Sequence, residues 1–292
     1  MIKFKCLACL ILAGLLLSGC TPGSTDPGGN SSILIENKGS DTLVNLALAW
    51  TEAYQVIDPL VSISVTGGGS GTGIAALINN TVDIANASRQ IKQEELDAAR
   101  KNGVEAYEII VARDAIALIV HPSNPVSQLT LEQVSGIYSG KFDNWSELGG
   151  EDRPIVRLSR ETNSGTHVYF LETVLRLGDS ESSLIFDPRT LLLPSSEGIT
   201  LEVGSNPNAI GYDGLGYVTD AVKVLAIAES ETGPFVLPSA ATVNSGTYPV
   251  SRDLYMYTNG QPEGKTKAYL DWILSEEAQA IVARLGFVPV NP

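Results

Sequence analysis

The sequence predicts an α/β protein built from repeated strand–turn–helix units. Its 292 residues suffice for two domains, and 43% hydrophobic with 18% charged residues indicates a globular chain. Short apolar runs at 33–36, 61–65, 115–120 and 154–158 have the length and composition of buried strands. They alternate with segments whose apolar residues recur at helical spacing. In three places a polar or glycine-rich turn joins a strand to the next helix.

The first unit begins with the strand at 33–36 and continues into a helix with one apolar face. Ser40 or Asp41 stands just ahead of this helix as a candidate N-cap, because both side chains can accept hydrogen bonds from free N–H groups. The apolar face consists of Leu43, Leu46, Ala47, Trp50 and Tyr54.

The second unit contains the glycine-rich stretch 67-GGGSGTG-73, which follows a strand at 61–66 and opens a short helix. Three consecutive glycines cost backbone entropy, which favours a role in which something approaches the backbone closely. A glycine turn entering a helix directs several unpaired N–H groups and the positive end of the helix dipole at one point. The stretch predicts an anion cradle, and the alternative is a plain tight turn whose N–H groups bond to water or Ser70.

The third unit has the same design and adds a cation. Arg160 follows the strand at 154–158, and 164-SGT-166 opens the next helix. The planar guanidinium of arginine matches an oxyanion bidentately, and the hydroxyls of Ser164 and Thr166 add donors. The alternative is a surface arginine beside an ordinary serine N-cap. Because ligands of open α/β sheets bind outside the carboxyl ends of strands, we expect the three turns to converge on one site.

The N-terminal residues have the pattern of an export signal. Residues 1–19 combine basic Lys3 and Lys5 with an apolar run too short to span a bilayer comfortably. The motif 17-LSGC-20 resembles the lipobox of exported lipoproteins, which makes Cys20 the expected lipid anchor, and an uncleaved membrane anchor is the alternative. A polar tether follows at 20–32. Since the other two cysteines lie in the signal, the mature chain cannot form an internal disulfide.

Charge and composition argue against several classes of function. The net charge of -14 offers no basic surplus for a nucleic-acid partner. Ser70 does not fit the nucleophile motif G-x-S-x-G, and the histidines are His121 and His167, of which His167 keeps a serine hydrolase or phosphatase open as an alternative. The segment 260–266 is one residue short of a P-loop. No metal site and no cofactor are expected.

The motifs 39-GSDTL-43, 67-GGGSGTGIAALINNTVDIANASR-89, 160-RETNSGT-166 and 269-YLDWILSEEAQAIVARLGFVPV-290 together resemble the phosphate-binding protein of the phosphate-specific ABC transporter. The resemblance covers essentially the whole mature chain in the same order. It implies a type II periplasmic-binding-protein fold, in which two α/β lobes are joined by two crossover strands. It also implies a monomeric binding protein, not an enzyme, that takes inorganic phosphate in the cleft and passes it to a membrane permease. Sulfate or molybdate is the alternative ligand.

The resemblance also implies the lobes and the site. Lobe I would comprise 33–118 and 249–292, and lobe II would comprise 119–248. The implied phosphate-binding residues are Ser40, Asp41, Thr42, Ser70, Arg160, Ser164, Gly165 and Thr166, with Gly71, Ser88 and Arg89 as additional candidates.

One position departs from the family pattern. Many relatives place an aspartate directly after the serine at Ser88, where it accepts the proton of hydrogen phosphate, but this chain has Arg89. A buried carboxylate favours hydrogen phosphate, which carries a proton at neutral pH, over sulfate, which does not. We therefore hypothesise that Asp41 accepts the proton, while Arg89 pairs with Asp41 or donates to the anion. The alternative is that Asp41 only caps its helix.

Overall fold

The structure, a computed structural model, describes residues 32–290 of the chain. The signal peptide expected at 1–19 and the tether expected at 20–32 lie outside the described residues, apart from Ser32. Among the described residues, no helix combines the length and the apolar character needed to cross a membrane.

Strands and helices alternate along most of the described chain. The strands are β1 (Ile33–Gly39), β2 (Val61–Thr66), β3 (Ile84–Ala87), β4 (Ala106–Val120), β5 (Gln128–Thr130), β6 (Val156–Arg160), β7 (Leu191–Leu193), β8 (Ala209–Gly214), β9 (Lys223–Val224), β10 (Ala226–Ala228) and β11 (Ser251–Asn259). The α-helices are α1 (Val44–Ile57), α2 (Ser70–Ile78), α3 (Gln93–Lys101), α4 (Leu131–Tyr138), α5 (Gly165–Phe170), α6 (Ser196–Ser205), α7 (Ala240–Asn244), α8 (Gly264–Ile273) and α9 (Glu276–Arg284). A 3-10 turn at Asp41–Leu43 precedes α1, and a π-helical turn at Leu171–Leu175 extends α5.

One large sheet carries most of the strands, in the order β2-β1-β3-β11-β4-β8-β6-β7, with β9 also paired to β4. Strands β1, β2 and β3 are parallel, and so are β6, β7 and β8. The long strands β4 and β11 are antiparallel to each other and to their outer neighbours, so they join the two parallel sets. This arrangement is the mixed α/β architecture that the sequence predicts.

The hydrophobic core is divided along β4 and β11. On one side, Trp50 and Tyr54 of α1 pack with Tyr269 of α8 beneath β1 and β3, with the rings of Tyr54 and Tyr269 5.0 Å apart. On the other side, Phe170 of α5 stacks on Tyr212 of β8 at a ring distance of 3.6 Å. In β4, Ala112 belongs to the first core and Ala115 to the second. A smaller buried cluster accompanies each of these two cores, one containing Ile74 and Leu77 and the other Ile199 and Val203, so the core forms two halves along a shared pair of strands.

The predicted elements agree with the structure in kind, and several differ in extent. The strand expected at 115–120 is the second half of β4, and the one expected at 154–158 begins two residues later, at Val156. Ser40 stands at the N-cap position of the 3-10 turn, as expected, but its side chain makes no capping hydrogen bond. The Asp41 side chain bonds to Ser196 N–H, which starts a helix on the other lobe.

Candidate functional site

The turns after β1, β2 and β6 meet at the carboxyl ends of their strands. Thr42 Oγ1 of the first turn lies 3.0 Å from Thr166 Oγ1 of the third. In the glycine turn, Gly71 N–H donates to Asn163 O at 3.0 Å, and Asn163 Nδ2 donates to Gly68 O at 2.8 Å. The structure therefore brings all three turns together, with the first two on one lobe and the third on the other.

Glycines allow the helices α2 and α5 to approach end to end. Gly69, just before α2, has a φ of 92°, and a Cβ there would lie 2.7 Å from Asn163 O. Gly165 is the first residue of α5, and a Cβ on it would lie 2.3 Å from Ser70 Oγ and 2.6 Å from Ser88 Oγ. Since real Cβ atoms do not make such contacts, these glycines are what permits the two helix N-termini to face each other.

The buried serine hydroxyls at this junction accept from the backbone. Ser70 Oγ accepts from Ser88 N–H at 2.9 Å and lies 3.2 Å from Ser88 Oγ. Ser164 Oγ caps α5 by accepting from Thr166 N–H at 3.2 Å. A hydroxyl that accepts in this way still has its own proton to donate. The N–H groups of Gly71, Thr72 and Thr166 are already bonded, to Asn163 O, Gly69 O and Ser164 Oγ, so the hydroxyl protons are the main donors of this junction.

Arg160 links the third turn to the first. Its side chain is buried, and Nη1 donates to Ser196 Oγ at 2.7 Å while Nη2 donates to Pro194 O at 2.8 Å. Nη2 also lies 3.1 Å from Asp41 Oδ2, and the same oxygen accepts from Ser196 N–H at 3.0 Å. Asp41 from one lobe thus fixes the guanidinium of Arg160 and the start of α6 on the other.

Three of the expected site residues, Ser40, Gly71 and Arg89, use the groups expected to bind the ligand in hydrogen bonds or ion pairs within the protein. Ser40 is buried, and its N–H donates to Asn86 O at 2.9 Å. The N–H of Gly71 is used by Asn163, as described above. The pairing of Arg89 with Asp41 that we considered is wrong, because the guanidinium of Arg89 forms a bidentate pair with Glu95 at 2.8 and 2.7 Å.

The structure adds charged residues that sequence reasoning missed. Arg252 of β11 lies beside Thr166 and pairs with Asp114 of β4 at 3.0 Å, with both side chains buried. Asp213 is fully buried at the end of β8. Burial raises the pKa of Asp213 to about 7, against the opposing charge of Arg160. Burial also raises the pKa of Asp114, although the charge of Arg252 opposes it.

A signal for these residues was present in the sequence. Arg113 and Asp114 interrupt the apolar run 109–120, and Arg252 stands in the second crossover strand. A charged residue inside an apolar strand indicates a buried partner, because an unpaired buried charge is very costly. The partner itself could not be read from the sequence.

His167, the residue on which the alternative of a serine hydrolase rests, is buried in the core. His167 Nδ1 is 3.0 Å from Ser159 Oγ, and Ser159 Oγ is 2.5 Å from Tyr212 OH. The His167 ring stacks on Phe186 at 4.5 Å, and burial lowers the pKa of the imidazole. The Ser159 side chain is fully buried, so this serine is not presented to a substrate. Within residues 32–290, no group of three or more His, Cys, Asp or Glu is arranged to hold a metal ion.

Comparison with known proteins identifies the family that has this architecture. A family described as a PBP superfamily domain matches residues 24–277. The phosphate-binding protein PstS of Pseudomonas aeruginosa is 36% identical over 273 residues, covering 88% of this chain and 83% of the relative. PstS of Bacillus subtilis is 32% identical over 257 residues, covering 87% of this chain and 79% of the relative.

Solved structures agree with these relatives. A Clostridium perfringens substrate-binding protein crystallised with bound phosphate has 35% identity and a TM-score of 0.77, covering 88% of this chain and 100% of that one. An ABC-type phosphate transport receptor from Vibrio cholerae has 27% identity and a TM-score of 0.69, covering 88% of this chain and 99% of that one.

The fold and the facing donor turns define a two-lobed ligand-binding protein of the type II periplasmic-binding-protein fold. The family resemblance seen in the motifs is confirmed by matches that span most of the chain. The chain belongs to the PBP superfamily and, within it, to the PstS phosphate-binding proteins.

Proposed function

We propose that this protein captures inorganic phosphate between its two lobes and delivers it to the membrane permease of an ABC importer. The observation that carries the proposal is the meeting of the starts of α2 and α5, one from each lobe, next to the turn in which Thr42 contacts Thr166 and Asp41 pairs with the buried Arg160. Membership of a family whose relatives are named as phosphate-binding proteins supports the choice of ligand. The role is binding without catalysis, and it needs neither a metal nor a cofactor.

We assign the ligand contacts to both lobes. The first lobe contributes Ser40, Thr42 and Ser70, and Ser88 adds a hydroxyl beside Ser70. The second lobe contributes Arg160, Ser164, Gly165 and Thr166. Asp41 orients Arg160 and accepts the proton of hydrogen phosphate. Gly71 and Arg89 do not contact the ligand but bond to Asn163 and Glu95 beside the site.

Local hydrogen bonds explain how an acidic protein binds an anion. Salt screens the net charge of -14 over about 8 Å under physiological conditions, so groups within the cleft decide the affinity. Hydrogen bonds to a charged group contribute roughly 1.5 to 3 kcal/mol each. Several such bonds can offset the loss of hydration and leave about -8 kcal/mol, which corresponds to micromolar binding.

Closure of the lobes follows from the division of donors between them. Only the closed form brings both halves of the site to one anion, so phosphate shifts the population towards that form. Further contacts cross the cleft in the closed form, between Asn45 and Glu197 at 3.1 Å and between Lys92 and Glu172 at 3.5 Å. A permease can recognise the loaded protein by this closed arrangement.

We propose that lobe I comprises 33–118 and 249–292 and lobe II 119–248, with crossings in β4 and β11. The change of core between Ala112 and Ala115 supports a crossing in β4, a few residues before 118. We further propose that the protein is exported, acts as a monomer and is held at the outer face of the cell membrane by a lipid on Cys20. The motif 17-LSGC-20 supports the anchor.

Two measurements test the proposed function. In a thermal-shift screen, phosphate and arsenate should stabilise the protein, while sulfate and molybdate should not, because only the first pair carries a proton at neutral pH. In titration calorimetry, Arg160→Ala should weaken phosphate binding at least 100-fold, about 2.7 kcal/mol, since it removes the buried positive charge that Asp41 and Ser196 hold at the site. Wild-type affinity in this variant would rule out the site, and phosphate release from a monoester substrate would point to an enzyme instead.

A further inference from the structure

Two arginine–aspartate pairs occupy neighbouring register positions where β4 and β11 cross between the lobes. Arg252 is opposite Asp114, and Asp253 is opposite Arg113. The first pair is buried, with side chains 3% and 0% exposed, whereas the second is 42% and 36% exposed at a distance of 3.4 Å. The same two residue types therefore appear once inside the molecule and once on its surface.

The buried pair contacts the proposed site. Arg252 Nη2 donates to Asp114 Oδ2 at 3.0 Å and to Thr166 Oγ1 at 2.9 Å. Because a guanidinium only donates, Thr166 Oγ1 must accept here, and its own proton is left for another acceptor. Thr42 Oγ1 lies 3.0 Å away on the other lobe. Arg252 thus directs the Thr166 hydroxyl proton away from β11 and towards the junction.

The rest of the Arg252 guanidinium is unsatisfied. Nε and Nη1 are buried and have no hydrogen-bond partner. Tyr169 offers only a ring face, 5.5 Å from Cζ. Unpartnered donors on a buried cation reduce stability, so hydrogen bonding within the protein does not explain this arginine. Arg252 would give this end of the site a second positive charge beside an oxyanion bound at Thr166.

We propose that Arg252, held by Asp114 where the two crossover strands meet, is a positioning residue that fixes the Thr166 hydroxyl as a donor to the bound oxyanion. The inference rests on the proposed function, since it assigns a role at the same site. It makes the strands that join the lobes part of ligand recognition. Asp114 is the counter-charge that keeps Arg252 in place.

A mutant cycle measured by phosphate calorimetry tests this role. Arg252→Gln is combined with Asp114→Asn, so that no buried carboxylate is left unpaired and Leu215 N–H keeps its acceptor, Oδ1. This double variant should lose about tenfold in phosphate affinity, and Thr166→Val should lose a similar factor. Because Arg252 acts through Thr166, all three substitutions together should bind within about twofold of Thr166→Val alone.

The surface pair provides the matched control. Arg113→Gln with Asp253→Asn makes the same chemical change one register position away and should leave phosphate affinity within about twofold of wild type. Wild-type affinity in the buried-pair variant, or a fully additive loss of about 100-fold in the triple variant, would overturn the inference. If the buried-pair variant fails to fold, Arg252→Lys takes its place, because lysine keeps the charge without the planar fork.

A failure of the role of Arg252 can be distinguished from a failure of the proposed function, because different variants test the two. Arg160→Ala tests the site itself and leaves Arg252 untouched. A loss of binding in Arg160→Ala with none in the buried-pair variant would reject only the role of Arg252. Wild-type affinity in Arg160→Ala would reject the site.

Discussion

At the scale of single residues, Arg160 is fixed by side-chain and backbone groups of both lobes. Ser196 Oγ and Pro194 O accept from it on its own lobe, and Asp41 pairs with it from the other. Since Leu193 O also accepts from Nε, the fixed guanidinium keeps one free N–H group in one orientation, which reduces the entropy lost when an anion binds. Asp41 therefore contributes to the site even before its interaction with a phosphate proton is considered.

Asp41→Asn separates the two roles of this carboxylate. An amide can still approach Arg160, but it does not accept the ligand proton as a carboxylate does, and it no longer repels sulfate. We expect the preference for phosphate over sulfate to fall at least tenfold, as measured by competition calorimetry at neutral pH.

The control for this change is an aspartate on the surface. Asp97 forms an exposed pair with Arg100 on α3, and Asp97→Asn should keep the wild-type preference. If Asp41→Asn weakens both anions equally, Asp41 orients Arg160 and takes no part in choosing the ligand.

At the scale of elements, the N-termini of α2 and α5 form the central contact between the lobes. Gly165 begins α5 and packs on the hydroxyls of Ser70 and Ser88. The short α-helical part of α5 is extended by the π-helical turn Leu171–Leu175, and Phe170 and Val174 anchor the whole segment in the second core. Rigid anchoring of this helix makes the position of its first residue decisive for closure.

Gly165→Ala should prevent full closure. The added Cβ would lie 2.3 Å from Ser70 Oγ, and Ser70 cannot move far because its oxygen holds Ser88 N–H. We expect phosphate affinity to fall at least tenfold in calorimetry, about 1.4 kcal/mol. The stability of the ligand-free protein should change little, because opening the lobes relieves the contact.

Gly233→Ala is the matched control for the glycine substitution. A Cβ at Gly233 would meet nothing closer than 3.5 Å, an ordinary contact, so affinity should be unchanged. Wild-type phosphate affinity in Gly165→Ala would mean that the ligand-bound lobes do not approach as closely as in this structure.

At the scale of the whole molecule, the charges around the cleft are balanced pair by pair. Arg160 is matched by Asp41, Arg252 by Asp114 and Arg89 by Glu95. The cleft therefore holds its cations without a surplus of positive charge, and selectivity depends on the direction of hydrogen-bond donors. Asp213 is an exception, because its Oδ2 is buried without a hydrogen-bond partner.

Asp213 should make global stability depend on pH. Its pKa, raised by burial to about 7, exceeds the value of about 3.9 in an unfolded chain. Between these values the folded protein binds more protons, so the contribution of Asp213 to the free energy of unfolding is lost as pH rises towards 7. Urea titrations should show Asp213→Asn gaining stability relative to wild type between pH 5 and pH 8.

Asp187 supplies a control of opposite sign. Hydrogen bonds from Arg189 hold the pKa of Asp187 at about 2, below its unfolded value, so its contribution is present above about pH 4 and is lost as pH falls further. Asp187→Asn should therefore lower stability at neutral pH, and this difference should shrink in acid. A constant difference between Asp213→Asn and wild type from pH 5 to pH 8 would contradict the raised pKa of Asp213.

The sequence by itself determined the α/β class, the three strand–turn–helix units and the family. These features are local: apolar periodicity sets strand or helix, and glycine, serine and threonine at a strand-to-helix turn set the donors. Short motifs such as 160-RETNSGT-166 therefore carried the prediction of an anion site without knowledge of the packing.

Only the tertiary structure decided which distant residues meet. Nothing in the chain around Arg89 distinguishes Glu95 from Asp41 as its partner, and nothing around Arg252 points to both Asp114 and Thr166. Ion pairs and interlobe contacts depend on strand register and on how two cores pack along β4 and β11. Those are properties of the whole fold, because a side chain's partner is set by distance in space and not by separation along the chain.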